Sequence, residues 1–535
     1  MENALNKKNR GDIEIGLTIV SVLLLVAFII FMALNPETTV EKIDGFFWNM
    51  ISVFGPFFEI FTFATFIIAI YLGFGKYGKI RLGDCKPEYS TISYITMMIL
   101  ASLASAALYW SFTEWAFYYE APGLGMEAHS LRALESSISY QFFHWGMTNQ
   151  AMYTVMAVAI AYGVYVKKVP SFQTSAVCSA MMGEKAKGKS VIGKIIDFCV
   201  IFGILGGLSS TLGLAVPLAS SGLNKLFGLE ATPVVQIGVI AVIAVVYTFT
   251  ACLGIDRGMK VISNGAAALC VLFLLYVLLS GPTVFILRNI VNSFGYMITD
   301  LPRMSLFTDP IENSGFAEGW TIYFQAFYLN YLAMMGIFVA KVSKGRTIRQ
   351  VAIATILGIS AGGWFLFGVD GSFSIKAFLD GTDVVGLVNS GVGDAAVYSI
   401  LEILPLGATL LPVVVLMLVV GFVAPSMDAA SLALAETVTK RGVPKMAMRI
   451  FWCVLLAVIP MCIILSGSGF DAIKKLSIII SVPFLAIVIG MEIGLFKWLN
   501  HDRRSGLHAR IIERQEKEEA EEFVNAGQTE ADLPA

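Results

Sequence analysis

The sequence predicts an all-α integral membrane protein of twelve transmembrane helices. Three observations carry that reading: a composition too apolar for water, apolar runs of bilayer length repeated along the chain, and basic residues confined to alternate connections. Of the 535 residues, 57% are hydrophobic and 14% charged, against about 25% charged in soluble domains. Length alone would suggest three or four soluble domains at about 150 residues each. The apolar segments, however, recur from near residue 15 to near 499 with no polar interval large enough to fold separately. Residues 1–500 are therefore read as a single transmembrane domain and 501–535 as a charged tail.

A bilayer core about 30 Å thick takes about 20 apolar residues in helical form, because each backbone polar group must be bonded internally. Runs of that size fall at 15–34, 51–74, 91–118, 141–166, 191–217, 233–254, 260–280, 320–340, 350–369, 406–437, 448–466 and 476–497. The first follows Lys7, Lys8 and Arg10 and is long enough to span, so it reads as a retained helix and not a cleaved leader.

With the N-terminus placed in the cytoplasm, 29 of the 37 basic residues fall on inside connections and 8 outside. That asymmetry follows the positive-inside rule and requires an even number of crossings, so both termini are expected in the cytoplasm and membrane lipid is the expected surrounding. The formal net charge of −2 points to no nucleic-acid partner. The seven cysteines (Cys85, Cys178, Cys199, Cys252, Cys270, Cys453 and Cys462) are scattered without metal-ligand or disulfide spacing. No metal or cofactor is predicted.

Two outside stretches are more than simple loops. Residues 284–303 alternate apolar and polar positions like an interfacial helix, and 371–400 is Gly-rich with short helical patches. The segment from His501 carries mixed charge at helical spacing before an acidic tip, which reads as a solvated helix followed by disorder.

Chemistry is suggested by the eighth run, where Trp320, Phe327, Tyr331 and Met335 recur at intervals of seven, four and four, with Tyr328 adjoining. One helical face thus carries an aromatic stripe ending in a thioether. A trimethylammonium group donates no hydrogen bonds, so a protein grips it through aromatic faces, at about 2 kcal/mol per desolvated contact. On spacing alone, packing is the commoner use of such a stripe. Phe143, His144, Trp145 and Gly146 open the fourth run, with Tyr153 eight residues after Trp145 on nearly the same face. His144 reads as a hydrogen-bonded structural group. Glu114 and Asp428 lie inside apolar runs, where ionised groups are paired, protonated or functional.

The stretches FHWG at 143–146, LPRM and TDP within 301–310, GW at 319–320 and IFVAKVSKGRTIR at 337–349 resemble the betaine/carnitine/choline transporter family. Ala104 to Ala107, Glu114, Gly319 to Thr321 and Ser343 to Thr347 are most similar to its carnitine/γ-butyrobetaine-exchanging members. The resemblance implies a LeuT-like inverted-repeat fold, with two peripheral helices followed by five-helix repeats at about 91–280 and 320–499. It implies an aromatic box at Trp145, Gln150, Tyr153, Phe327, Tyr328 and Tyr331, with Phe117 beside the ammonium head and Trp320 on the approach. Gln150, Phe327 and Tyr328 replace usual tryptophans, which weakens or redirects the grip. Lys260 stands where exchangers carry a fixed cation in place of sodium, and Met335 where their thioether replaces the other sodium. Pro425 removes a hydroxyl that sodium-driven members have beside Ser426. Read without the resemblance, Lys260 is an ordinary positive-inside residue.

The resemblance further implies a sodium-independent exchanger of carnitine, γ-butyrobetaine or glycine betaine in a bacterial inner membrane, assembled as a homotrimer. The alternatives are a sodium- or proton-coupled symporter for glycine betaine or choline and, more remotely, a membrane sensor or enzyme. No His, Asp and Glu cluster in the runs suggests acid–base chemistry, so no catalytic residue is assigned.

Overall fold

The computed structural model describes residues 13–101, 105–183, 191–253, 260–439, 443–466 and 471–531. The described secondary structure is helical apart from two isolated bridges, Ile13 with Thr439 and Arg81 with Thr347. The chain opens with α1 (Ile15–Leu34), α2 (Pro36–Phe74), α3 (Thr91–Ala101), α4 (Ser105–Glu120), α5 (Leu131–His144), α6 (Met147–Ala161) and α7 (Thr174–Met181). It continues through α8 (Val191–Phe227), α9 (Pro233–Leu253), α10 (Lys260–Ser280), α11 (Thr283–Ser305) and α12 (Tyr323–Val342). There follow α13 (Ile348–Ile353), α14 (Ser360–Leu379), α15 (Val384–Asn389), α16 (Gly393–Leu401), α17 (Leu410–Thr437), α18 (Met446–Ser466), α19 (Asp471–Arg504) and α20 (Leu507–Ala531).

Ten continuous helical stretches among the described residues are long and apolar enough to cross a membrane, one of them α13 and α14 joined through a π-turn at Ala354–Ile359. The two remaining predicted spans are each built from two helices, α3 with α4 and α5 with α6. Apolar side chains such as Leu23, Val245, Leu272 and Ile493 are exposed on the outside, as expected of a chain solvated by lipid.

The break between α5 and α6 follows from local chemistry. Trp145 adopts φ −97° and ψ 9°, and Gly146 an extended φ −107° and ψ −156°. A Cβ on Gly146 would lie 2.1 Å from the Phe142 carbonyl oxygen, so only glycine fits. The carbonyls released by the break find side-chain donors: Trp364 Nε1 to Phe142 at 2.9 Å, Asn149 Nδ2 to His144 at 2.7 Å and Gln150 Nε2 to Trp145 at 3.3 Å. An interrupted backbone at membrane depth is tolerated only where its polar groups are satisfied in this way.

Packing obeys an exchange rule between α4, α6, α8, α9, α10 and, in the same order, α12, α14, α17, α18, α19. The α4–α14 contact is matched by α12–α6, α8–α19 by α17–α10, and α10–α14 by α19–α6, while α8 meets α17 and α9 meets α18. Five crossings per set start the second set on the opposite face, which is the inverted-repeat architecture.

Outside this bundle, α11 is the amphipathic helix predicted for 284–303, its buried Ile286, Ser293, Met297 and Met304 spaced for one face. In 371–400, expected as short helical patches throughout, α14 in fact runs on to Leu379 before the short α15 and α16 begin. The tail is not simply solvated: α20 is tied to the 75–90 connection by the ion pairs Arg81–Glu518 at 2.5 Å and Arg514–Asp84 at 2.7 Å. Of the tip expected to be disordered after Phe523, residues 524–531 instead continue α20 as helix, and 532–535 lie outside the described residues.

Candidate functional site

The broken α5–α6 corner, α4 and α12 bring most of the predicted aromatic residues together. From Trp320 a run of rings passes to Phe324 at 6.2 Å, on to Trp145 at 5.5 Å, to Tyr328 at 6.4 Å and to Tyr153 at 5.5 Å, centroid to centroid. Phe117 packs on Trp320 at 5.4 Å, and Trp110 touches both at 5.8 and 5.9 Å. Phe367 stacks on the far side of Trp145 at 5.0 Å. The predicted stripe on α12 therefore divides. Trp320 and Tyr328 join the rings of α4 to α6, whereas Phe327 and Tyr331 pair with each other at 4.9 Å toward α8.

Trp320 owes its position to a π-turn at Ala317–Ile322, a wide helical turn that rotates its side chain against Tyr118. Trp145 is aimed by Glu114, whose Oε2 accepts the indole N–H at 2.9 Å while its Oε1 accepts the Tyr118 hydroxyl at 2.5 Å. That hydroxyl proton is committed to Glu114, so His144 Nδ1, 2.7 Å away, must be the donor to Tyr118. His144 Nε2 then accepts from Thr321 Oγ1 at 3.0 Å. The chain of bonds links α12, α5 and α4 and holds one indole in place. His144 is the structural group expected, and Glu114 has the partners that were missing from the sequence reading.

Gln150 lies between Trp145 and Tyr328. Its amide donates to the Tyr328 hydroxyl at 3.2 Å and to the Trp145 carbonyl, joining the two walls. Tyr331 bonds the Gly207 carbonyl at 2.5 Å and Thr211 Oγ1 at 2.7 Å, fastening α12 to α8. Met335, one turn further along α12, is half-buried against the core.

Pro425 lies within the continuous α17, and the adjacent Ser426 hydroxyl donates to the Phe422 carbonyl of its own helix at 2.9 Å. Lys260 begins α10, but its side chain lies outside the described residues, as does Ala104 of the stretch that carries the resemblance at 104–107. Asp428 pairs with Arg449 at 2.5 Å, both buried. The sequence reading passed over Trp110, Phe324 and Phe367. Phe324 was open to discovery, standing four residues after Trp320 on the same helical face.

A bundle with ten helical stretches long and apolar enough to cross a membrane, with further broken spans among the described residues, defines a multi-pass membrane protein. The chain belongs to the BCCT, betaine/carnitine/choline family of transporters, whose pattern matches residues 16–504. A protein of Acinetobacter baumannii (strain ATCC 19606) named "Carnitine transporter" is 36% identical over 485 residues, covering 90% of this chain and 87% of that protein. An Escherichia coli K12 protein named "Uncharacterized transporter YeaV" is 35% identical over 440 residues, covering 81% and 91%. A solved Na⁺-coupled sialic acid symporter aligns with TM-score 0.47 and 11% identity over 83% of this chain and 86% of that one, too loosely to bear on site or cargo.

Proposed function

We propose that this transporter exchanges betaine-type quaternary ammonium compounds, such as carnitine, γ-butyrobetaine or glycine betaine, by alternating access and without sodium. The observation that carries the reading is the ring run Phe324, Trp145, Tyr328 and Tyr153, which offers π-faces to a cation that cannot donate hydrogen bonds. Phe117 and Trp320 line the approach, and Phe327 and Tyr331 lie toward α8, with Met335 one turn further along α12. The name of the Acinetobacter relative supports the substrate class.

Sodium independence is supported by α17. Pro425 has no hydroxyl and that of Ser426 is bonded within its own helix, so this stretch offers sodium little. Lys260 belongs to the same reading as a fixed cation. An inner-membrane location, cytoplasmic termini and a homotrimeric assembly complete the proposal.

The test is counterflow in proteoliposomes preloaded with carnitine, γ-butyrobetaine, glycine betaine or choline, with and without sodium, in wild type and Lys260→Ala. Exchange of preloaded for external label, indifferent to sodium in wild type, is expected. Uptake into empty vesicles that rises with a sodium gradient would sink the exchanger assignment.

A further inference from the structure

Behind the ring cluster, where α2 packs against both α6 and α12, several buried oxygen atoms have no hydrogen-bond partner. They are both carboxyl oxygens of Glu59, the Thr148 hydroxyl, Asn149 Oδ1 and Gln325 Oε1. None of the four residues is more than 2% exposed.

Helical register brings them to one depth. The three helices run in the same direction, because their C-terminal ends converge. Tyr77 beyond α2 and Tyr162 beyond α6 both lie against His508, at 6.2 and 6.3 Å. Gly345, beyond α12, donates to the Leu82 carbonyl at 2.8 Å. One turn before Glu59, Gly55 lies against Ile322. One turn after it, the Thr62 hydroxyl reaches the Met152 sulfur at 3.9 Å. Stepping three or four residues along each helix sets Glu59 level with Gln325 on one neighbour and with Thr148 and Asn149 on the other.

Among the described residues no basic group pairs with Glu59. The titratable groups near it, and on the elements packed along α2 and α6, come from five elements. Glu318 on the π-turn acts on it through its charge. Tyr140 of α5 has an unpartnered hydroxyl, which Asp300 and Arg303 of α11 also influence. Glu492 of α19 is bonded to Thr65 at 2.8 Å, and His144 is held by Tyr118 and Thr321. Arg349 of α13 bonds Gly73 at the far end of α2.

Four of these five oxygens, those of Glu59, Asn149 and Gln325, can only accept unless a proton is added, and the Thr148 hydroxyl is the one donor among them. A bare carboxylate at membrane depth with no partner is costly. A single proton converts one carboxyl oxygen into a donor and satisfies an orphaned amide oxygen in the same step. We propose that Glu59 is a proton-binding site, its acid proton donated to the amide oxygen of Gln325 or Asn149, and that filling the ring cluster shifts this proton. The link is physical: Thr148 and Asn149 immediately precede Gln150, Asn149 stands one turn before Tyr153 and Gln325 one turn before Tyr328, so both sites are built on neighbouring turns of α6 and α12. The inference adds a ligand to the exchange reading, and only its substrate-linked half rests on that reading.

The test compares purified wild type with Glu59→Gln, which copies the protonated shape. In weakly buffered detergent solution with a pH-sensitive dye, adding carnitine should move protons in wild type and none in the variant. Carnitine affinity should change with pH by up to tenfold per unit in wild type and stay flat in the variant. Independently of substrate, the thermal midpoint of wild type should fall relative to that of Glu59→Gln as pH rises from 5 to 9, since the proton is lost. Matching pH profiles in the two proteins would overturn the proposal. So would stabilisation by sodium that Glu59→Gln abolishes, which would make the occupant a metal ion. Failure of wild type to bind any quaternary ammonium compound refutes the exchange reading alone and leaves the thermal comparison to decide the proton site.

Discussion

Replacing Glu114 by glutamine tests whether a hydrogen-bonded carboxylate, and not packing, sets the angle of the Trp145 ring. Two donors converge on this side chain, the Tyr118 hydroxyl at 2.5 Å and the Trp145 indole N–H at 2.9 Å, one on each oxygen. Glutamine keeps the shape but offers one acceptor, so its NH₂ must face one of the two donors. A hydrogen bond to a charged group contributes about 1.5–3 kcal/mol. Losing the indole bond at about 2 kcal/mol corresponds to a roughly 30-fold weaker grip on a quaternary ammonium compound. Tryptophan fluorescence titration with carnitine reads the affinity, and the thermal midpoint shows that the variant is folded. Tyr118→Phe removes the other donor and leaves the indole bond, so its effect should be the smaller. An affinity for Glu114→Gln within twofold of wild type, or an equal loss in Tyr118→Phe, would refute the reasoning.

Arg449→Met leaves Asp428 buried without its partner at 2.5 Å and should destabilise by about 3–5 kcal/mol. A drop in thermal midpoint that Asp428→Leu reverses in the double variant checks it. Ser426→Ala should leave exchange and its indifference to sodium unchanged in counterflow, because that hydroxyl bonds its own helix at 2.9 Å. His508, at the root of α20, donates from Nε2 to the Tyr162 hydroxyl at 3.0 Å, that hydroxyl's own proton going to Asp502 at 2.6 Å, and burial pulls its pKa below the usual histidine range. Its contribution to docking of α20 is therefore complete above about pH 6.5 and lost as pH falls below it. Hydrogen exchange over 507–531 should accelerate between about pH 6.5 and 5 in wild type and not in His508→Gln.

The spans were legible because bilayer thickness imposes a local rule, about 20 apolar residues in a row, that needs no knowledge of neighbours. The corner at Trp145 and Gly146 was not. Its helix break depends on Trp364, which is 222 positions from the carbonyl it caps. Of the partners of Glu114, Tyr118 stands four residues on and was within reach of helical spacing, but Trp145 required the fold. The stripe on α12 was visible as periodicity, while its division between the Trp145 side and the α8 side depends on which helices lie against it. Glu59 sits as deep in an apolar run as Glu114, yet only packing reveals that its neighbours are orphaned acceptors.

The connection after α2 and the one after α12 are stitched by main-chain bonds: Leu82 N–H to Arg346 O and Gly345 N–H to Leu82 O at 2.8 Å, with Ile348 to Ile80 and Arg349 to Gly78 at 2.9 Å. Such a clasp is made by main-chain atoms, and two of its residues, Gly78 and Gly345, leave no room for a Cβ. It fixes the end of α2 to the α12–α13 elbow, so in the proposed alternating-access cycle any rocking of that elbow would carry α2 with it. Spin labels on either side of the clasp should keep one separation through the cycle, while labels from α2 to α9 should report the stroke.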